Sequence, residues 1–253
     1  MSGSDSSRVC VLTGAGGGLA GAAARMLAER TDYRLALVDN RAEALGEVAA
    51  HARGHSTDVL TLEVDLADAE QVESVIPDTV AHFGRVDALV NAAAVLHRLP
   101  MEAITPTEFD FVYHINARAP LLLCRAAIAE MSKRGWGRIV NVTSTGVYEG
   151  GFTETSLLYE TTKGAVAVMT KMFANFGAAE GVLVNTVCPG AMRTRMLTEQ
   201  TSPELLARAE REIIPLGRLG EPEEVAEMIL WLVSVNSYAT GSEFDINGGV
   251  ALH

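Results

Sequence analysis

Tyr159-Glu160-Thr161-Thr162-Lys163 sets a phenol and an ammonium four residues apart. On a helix, residues at that spacing share one face. A phenol with an ordinary pKa of about 10 is a poor base near neutrality. A neighbouring cation favours the phenolate, so the spacing predicts a lowered value for Tyr159 and a usable proton acceptor. The same pairing occurs on ordinary helix faces, and its meaning depends on what else shares the site. Ser144 follows the predicted strand Arg138–Val142, fifteen residues before Tyr159. Ligands of open α/β sheets bind beyond the carboxyl ends of strands, which places the Ser144 hydroxyl to hold a substrate oxygen in line with Tyr159. Asn116, within His114-Ile115-Asn116-Ala117-Arg118, is an amide inside a long predicted helix and needs a partner there. It could anchor a water that contacts Lys163 and carries protons outward. Taken singly, a serine or asparagine also serves as a cap or a structural hydrogen bond.

The elements that must position these groups alternate between strand-like and helix-like along the chain. Predicted strands are Arg8–Thr13, Tyr33–Asp39, Val59–Val64, Ala88–Asn91, Arg138–Val142, Val182–Val187 and Glu243–Ile246. Most are short, apolar and β-branched, as strands buried on both faces should be. Predicted helices are Leu19–Arg30, Ala42–Ala52, Ala69–Phe83, Thr107–Arg134, Leu158–Glu180 and Pro222–Val235, with a shorter one in Pro203–Ile214. Pro222-Glu223-Glu224 has the proline and acids of a helix first turn. The alternation predicts a single α/β domain: a doubly wound parallel sheet of about seven strands with helices on both faces. No repeat or linker divides it; residues 1–7 read as a flexible tail and 8–253 as the domain.

The first strand runs into Thr13-Gly14-Ala15-Gly16-Gly17-Gly18-Leu19-Ala20 and then an alanine-rich helix. A glycine turn between strand and helix lets backbone N–H groups approach a pyrophosphate at the helix N-terminus. The frame with Gly14 and Gly18 is preferred over Gly16, Gly18 and Gly21, because Gly14 follows the strand directly. The second strand ends in Asp39, where a carboxylate suits the adenine-ribose hydroxyls and repels the extra phosphate of NADP. Arg41 pulls the other way, and NAD is expected over NADP. Asp65, after the third strand, is placed to accept from an adenine amino group, or to cap a helix. Together with Tyr159, Lys163 and Ser144, these groups point to hydride transfer.

Composition sets limits. With 253 residues, 48% hydrophobic and 21% charged, the chain has ample core. A net charge of −12 argues against nucleic acid or an anionic membrane as partner. No apolar run reaches the roughly 18 residues that span a bilayer. Residues 1–7 lack the basic and apolar regions of a secretory signal. Cys10, Cys124 and Cys188 are odd in number and scattered, which reads as reduced thiols in a cytoplasmic protein. His51 and His55 have helical spacing, but no third ligand is evident and no metal is expected.

These motifs resemble the short-chain dehydrogenase/reductase family in its compact form, from about residue 8 to residue 250. The matching residues are Thr13-Gly14-x-x-x-Gly18, Asp39, Asp65, Asn91-Ala92-Ala93, Asn116, Ser144, Tyr159-x-x-x-Lys163, Pro189-Gly190-x-x-x-Thr194-x-Met196, Gly241 and Gly248-Gly249. The resemblance implies a Rossmann-type catalytic domain. In it Tyr159 is the general acid/base, Lys163 lowers its pKa and holds the nicotinamide ribose, Ser144 orients the substrate and Asn116 completes a proton relay. It further implies cofactor contacts from Gly14, Gly16, Gly17, Gly18, Leu19, Asp39, Asp65, Leu66, Asn91, Ala92, Pro189, Gly190, Thr194 and Met196, with Thr194 on the carboxamide. The sequence departs from the family at Ala20 and Ala94, where glycine is usual, and in two extra residues between Ser144 and Tyr159. Those are assigned to a loop over Thr145–Leu158.

Substrate walls are expected from Leu96, Tyr148, Phe152 and Met192, with Leu99, Met196 and Leu197 nearby. They suit a small alicyclic, aromatic or terpenoid-like secondary alcohol or ketone. A competing reading is an NADPH-dependent 3-oxoacyl reductase acting on an acyl carrier; another class is a non-catalytic nucleotide-sensing module. Family members commonly form homotetramers, and the apolar excess of Thr107–Arg134 and Leu158–Glu180 fits such interfaces.

Overall fold

The computed structural model describes residues 7–150 and 155–251. Seven parallel strands form one sheet in the order β3-β2-β1-β4-β5-β6-β7. In chain order the elements are β1 (Val9–Thr13), α1 (Gly18–Arg30), β2 (Arg34–Asp39), α2 (Ala42–Gly54), β3 (Val59–Glu63), α3 (Ala69–Phe83) and β4 (Ala88–Asn91). There follow α4 (Pro106–Tyr113), α5 (Ala119–Met131), β5 (Gly137–Val142), a single turn α6 (Gly146–Glu149), α7 (Leu157–Ala178) and β6 (Val182–Pro189). The chain ends with a single turn α8 (Arg195–Thr198), α9 (Pro203–Glu212), α10 (Pro222–Ser234) and β7 (Glu243–Ile246). All residues of β1, β4 and β5 are buried, as expected when helices cover both sheet faces. Side chains of α1, α2 and α10 pack on one face, those of α3, α5 and α7 on the other.

The chain leaves β1 to one side for β2 and returns to the other side for β4. That reversal opens a crevice at the carboxyl ends of β1 and β4, where such folds bind ligands. Loops after β1, β2, β4, β5 and β6 all converge there.

Three features differ from the sequence reading. The expected continuous helix over 107–134 is broken by a π-helical turn, His114–Arg118, and closes on a 3₁₀ turn at Ser132–Arg134. Pro120 has no N–H to give the carbonyl of Asn116 four residues earlier, so the ladder shifts and Ala119 N donates to His114 O instead. The loop expected over 145–158 contains the turn α6, and α7 already begins at Leu157. Ser7, counted above with the tail, is held by its carbonyl, which accepts from Arg34 Nη2 at 3.0 Å; residues 1–6 lie outside the described residues.

Candidate active site

Cavity walls from both halves of the sheet enclose about 590 Å³ at the crevice. At its nucleotide end the chain turns sharply between β1 and α1. Gly14 has φ +75° there, and a Cβ on it would come within 2.8 Å of Ala93 Cα. Only glycine fits that backbone approach. Gly14, Gly17, Gly18 and Leu19 line the cavity; Gly16 does not, and its N–H donates to Asp39 Oδ2 at 2.9 Å. Ala20 is buried in α1, so the methyl that replaces a glycine is accommodated.

Asp39 lies at the end of β2 with its carboxylate almost fully buried. Oδ1 accepts from Arg41 N (3.0 Å) and Nε (3.1 Å), while Arg41 Nη2 reaches Oδ2 at 3.4 Å. The arginine that opposed the NAD reading is thus laid over the carboxylate itself. Asp65 and Leu66 line the cavity beyond β3. Asp65 is not the helix cap: its Oδ1 accepts from Ala67 N at 2.8 Å, and Asp68 caps α3. Asn91 faces away from the cavity, its amide donating to Asn141 Oδ1 (2.8 Å) and Cys124 Sγ (3.3 Å). Its neighbour Ala92 is the lining residue. Pro189, Gly190, Thr194 and Met196 also line the cavity, and Thr194 arches over Gly18, its Cγ2 lying 3.8 Å from where a Cβ would stand. A glycine cradle at a helix N-terminus, a buried strand-end acid and a loop folded across them fit a dinucleotide.

At the chemical end Ser144, Tyr159 and Lys163 line the same cavity. Ser144 Oγ accepts from Gly146 N at 3.1 Å, and Lys163 Nζ, fully enclosed, donates to Val142 O at 2.8 Å. Burial pushes the Lys163 ammonium down to about 8, against the charge of Glu160. The Tyr159 phenol is raised, chiefly by burial and then by Glu160 and Cys188. This corrects the expectation that Lys163 lowers it. The ammonium is turned to a backbone carbonyl, 5.4 Å from the ring centroid, and desolvation outweighs it.

Asn116 makes no direct hydrogen bond to Lys163. Its Oδ1 accepts from Val95 N (2.8 Å), and Nδ2 donates to Val95 O (2.9 Å) and to Thr162 Oγ1 (3.2 Å). The amide therefore ties the loop after β4 and the π turn to α7 one residue before Lys163.

Of the expected substrate walls, Leu96 and Met192 line the cavity. Tyr148 does not: it is 42% exposed and its hydroxyl donates to Glu243 Oε1 at 2.6 Å. Phe152 lies outside the described residues. The wall also contains groups that the sequence reading passed over, notably Arg98, Phe111, Glu160 and Gln200. Glu160 stood inside the Tyr-x-x-x-Lys motif, and its charge among small polar neighbours was the available signal. Far from this cavity, Glu29 on α1 meets His51 and His55 with potential ligand atoms within 4.8 Å of one another. A third group does approach that histidine pair, contrary to the sequence reading.

Comparison with known proteins agrees with this architecture. A family model described as enoyl-(acyl carrier protein) reductase matches residues 14–251. The 3-oxoacyl-[acyl-carrier-protein] reductase of Thermotoga maritima is 33% identical over 97% of this chain and 98% of its own. The 2-(R)-hydroxypropyl-CoM dehydrogenase of Xanthobacter autotrophicus is 34% identical over 96% and 98%. Among solved structures, a 3-ketoacyl-(acyl-carrier-protein) reductase from Brucella melitensis, complexed with NADH, superposes with a TM-score of 0.87 at 29% identity, covering 97% of this chain and 98% of that one. The chain belongs to the short-chain dehydrogenase/reductase family of oxidoreductases.

Proposed function

We propose that the protein is an NAD-dependent dehydrogenase or ketoreductase that interconverts a secondary alcohol and its ketone. The observation that carries this reading is one cavity lined by the Gly14–Leu19 turn and Asp39 at one end and by Ser144, Tyr159 and Lys163 at the other. When bound, the nicotinamide dinucleotide supplies the hydride acceptor and, oxidised, a positive ring. Gly14, Gly17, Gly18 and Leu19 would hold the pyrophosphate and Asp39 the adenine ribose. Lys163 would hold the second ribose, and Pro189, Gly190 and Thr194 would meet the nicotinamide. In oxidation Tyr159 Oη takes the proton of the alcohol, whose oxygen Ser144 Oγ holds in place. In reduction the same phenol returns that proton to the ketone oxygen. The buried, protonated phenol of the cofactor-free chain suits the second direction; a positive ring and Lys163 together favour the phenolate needed for the first. Asn116 holds the loop after β4 against α7, so it keeps this wall in register.

NAD is favoured over NADP because the buried Asp39 carboxylate opposes a further phosphate. The Arg41 guanidinium beside it keeps an NADPH-dependent 3-oxoacyl reductase as the second reading, and one relative bears that name. A net charge of −12 counts against an acidic carrier as partner. Exposed Val168, Met172 and Phe176, spaced by four along α7, give that helix an apolar outer stripe. This stripe supports self-association, read here as a homotetramer; the three free thiols fit a cytoplasmic protein, and the net charge of −12 favours a small-molecule substrate over nucleic acid. No helix of the described residues is long and apolar enough to cross a membrane. Mixing the protein with NAD or NADP and a panel of secondary alcohols, and following absorbance of the reduced nicotinamide, tests the reading. Absence of reduction across the panel, with no reverse reaction on the ketones, refutes it.

A further inference from the structure

Glu160, directly after Tyr159 on α7, brings a carboxyl group into the chemical end of the cavity. A Cβ at Gly146 would stand 2.1 to 2.3 Å from its Cδ and both carboxyl oxygens. The carboxyl therefore packs directly on the backbone of the turn whose N–H holds Ser144 Oγ. Its Oε2 is buried and has no hydrogen-bond partner among the described residues. Burial raises this carboxyl, while a hydrogen bond with the Ser144 hydroxyl and the charges of Lys163 and Arg98 lower it. Lys163 spends its Nζ on Val142 O, and Arg98 Nη2 donates to Thr201 Oγ1 at 3.4 Å. A buried acceptor left unmatched is costly, and in a ligand cavity it marks where a donor belongs.

We propose that Glu160 is a specificity-determining residue that accepts a hydrogen bond from a second hydroxyl on the substrate, so that the substrate class is a vicinal diol or the corresponding hydroxyketone. The inference rests on the hydride-transfer reading above. Adjacency fixes the spacing. Ser144 is placed to hold the reacting oxygen and Glu160 lies beside Ser144. A hydroxyl on the neighbouring carbon reaches the carboxyl while the first oxygen stays between Ser144 and Tyr159. Charge fixes the donor type. A protonated amine would face Arg98 and Lys163, both cationic, whereas a neutral hydroxyl pays no such repulsion. A plain alkyl group would cover the oxygen without replacing its hydrogen bond, and is selected against.

The test compares trans-1,2-cyclohexanediol with cyclohexanol, using the full chain with NAD and with NADP. The wild type is expected to favour the diol in kcat/KM by about tenfold or more, the effect of a hydrogen bond to a charged group. In Glu160→Ala the diol-to-monool ratio should fall to near one, and in Glu160→Gln, which keeps an acceptor but no charge, to an intermediate value. If Glu160→Ala does not fold, Gly146→Ala displaces the same carboxyl and should lower the ratio. A wild-type ratio near one, or a ratio unchanged when the carboxyl is removed or displaced, overturns the role of Glu160 while hydride transfer stands. No reduction of either cofactor by either alcohol refutes the inference together with the reading beneath it.

Discussion

Replacing Lys163 by methionine should stabilise the cofactor-free protein while abolishing its chemistry. The ammonium is 2% exposed, and burial moves its pKa from 10.5 to about 8. A difference of that size corresponds to about 3 kcal/mol of penalty for holding the charge in the folded state. Against it stands the hydrogen bond to Val142 O, whose loss costs about 1–2 kcal/mol. Near neutral pH, Lys163→Met should therefore gain about 1–2 kcal/mol. The pH dependence is sharper, and its sign follows from the direction of the shift. Below about pH 8 the lysine is charged in both states and the penalty is complete. Between about 8 and 10.5 the unfolded chain binds the proton and the folded one does not, so wild-type stability rises with pH. From pH 7 to about pH 9.5 the wild type should recover about 2 kcal/mol relative to the variant. Urea unfolding of both proteins, followed by the fluorescence of Trp136 and Trp231, measures that difference, and contributions from titrating groups that do not sense Lys163 cancel. A stability difference that does not change over this pH range would show that Lys163 is not held as a costly buried cation.

Tyr159→Phe keeps the ring and its packing, so kcat should fall about 10²–10⁴-fold while NAD affinity by calorimetry stays within error. Asp39→Ala removes the carboxylate and releases Arg41, which should raise the NADP-to-NAD ratio of kcat/KM; a wild type that already prefers NADP would show that Arg41 outweighs Asp39. Gly14→Val puts a branched side chain at φ +75° and against the Ala93 backbone, so nucleotide binding should be lost along with at least about 1 kcal/mol of stability; near-normal affinity by calorimetry would contradict the cradle. Light scattering should give a mass near four times 26.9 kDa, and Phe176→Glu should reduce it; a wild-type mass of one chain would refute the interface on α7.

Strands and helices were legible because their signals are local. Alternation of β-branched runs with 3.6-residue periods marks the sheet and its covering helices, and six of the seven strands end within one residue of their expected ends; β6 runs on to Pro189. The candidate site was legible for a related reason: a strand end, a glycine turn and an i, i+4 pair each place groups by short-range geometry. Direction across the fold was not. Asn91 and Tyr148 turn away from the cavity, because Asn141, Cys124 and Glu243 on other elements offer hydrogen bonds. The break at Asn116 follows from Pro120, a local cause, but the partners that hold its amide, Val95 and Thr162, come from opposite sides of the site. The phenol of Tyr159 is raised rather than lowered because desolvation belongs to the packed interior, which the spacing of two residues does not contain. Glu160 reads as one more charge on a helix until α7 is laid against the turn after β5. Only that packing shuts its carboxyl into the cavity beside Ser144, since burial and unpaired acceptors are properties of neighbours distant in sequence.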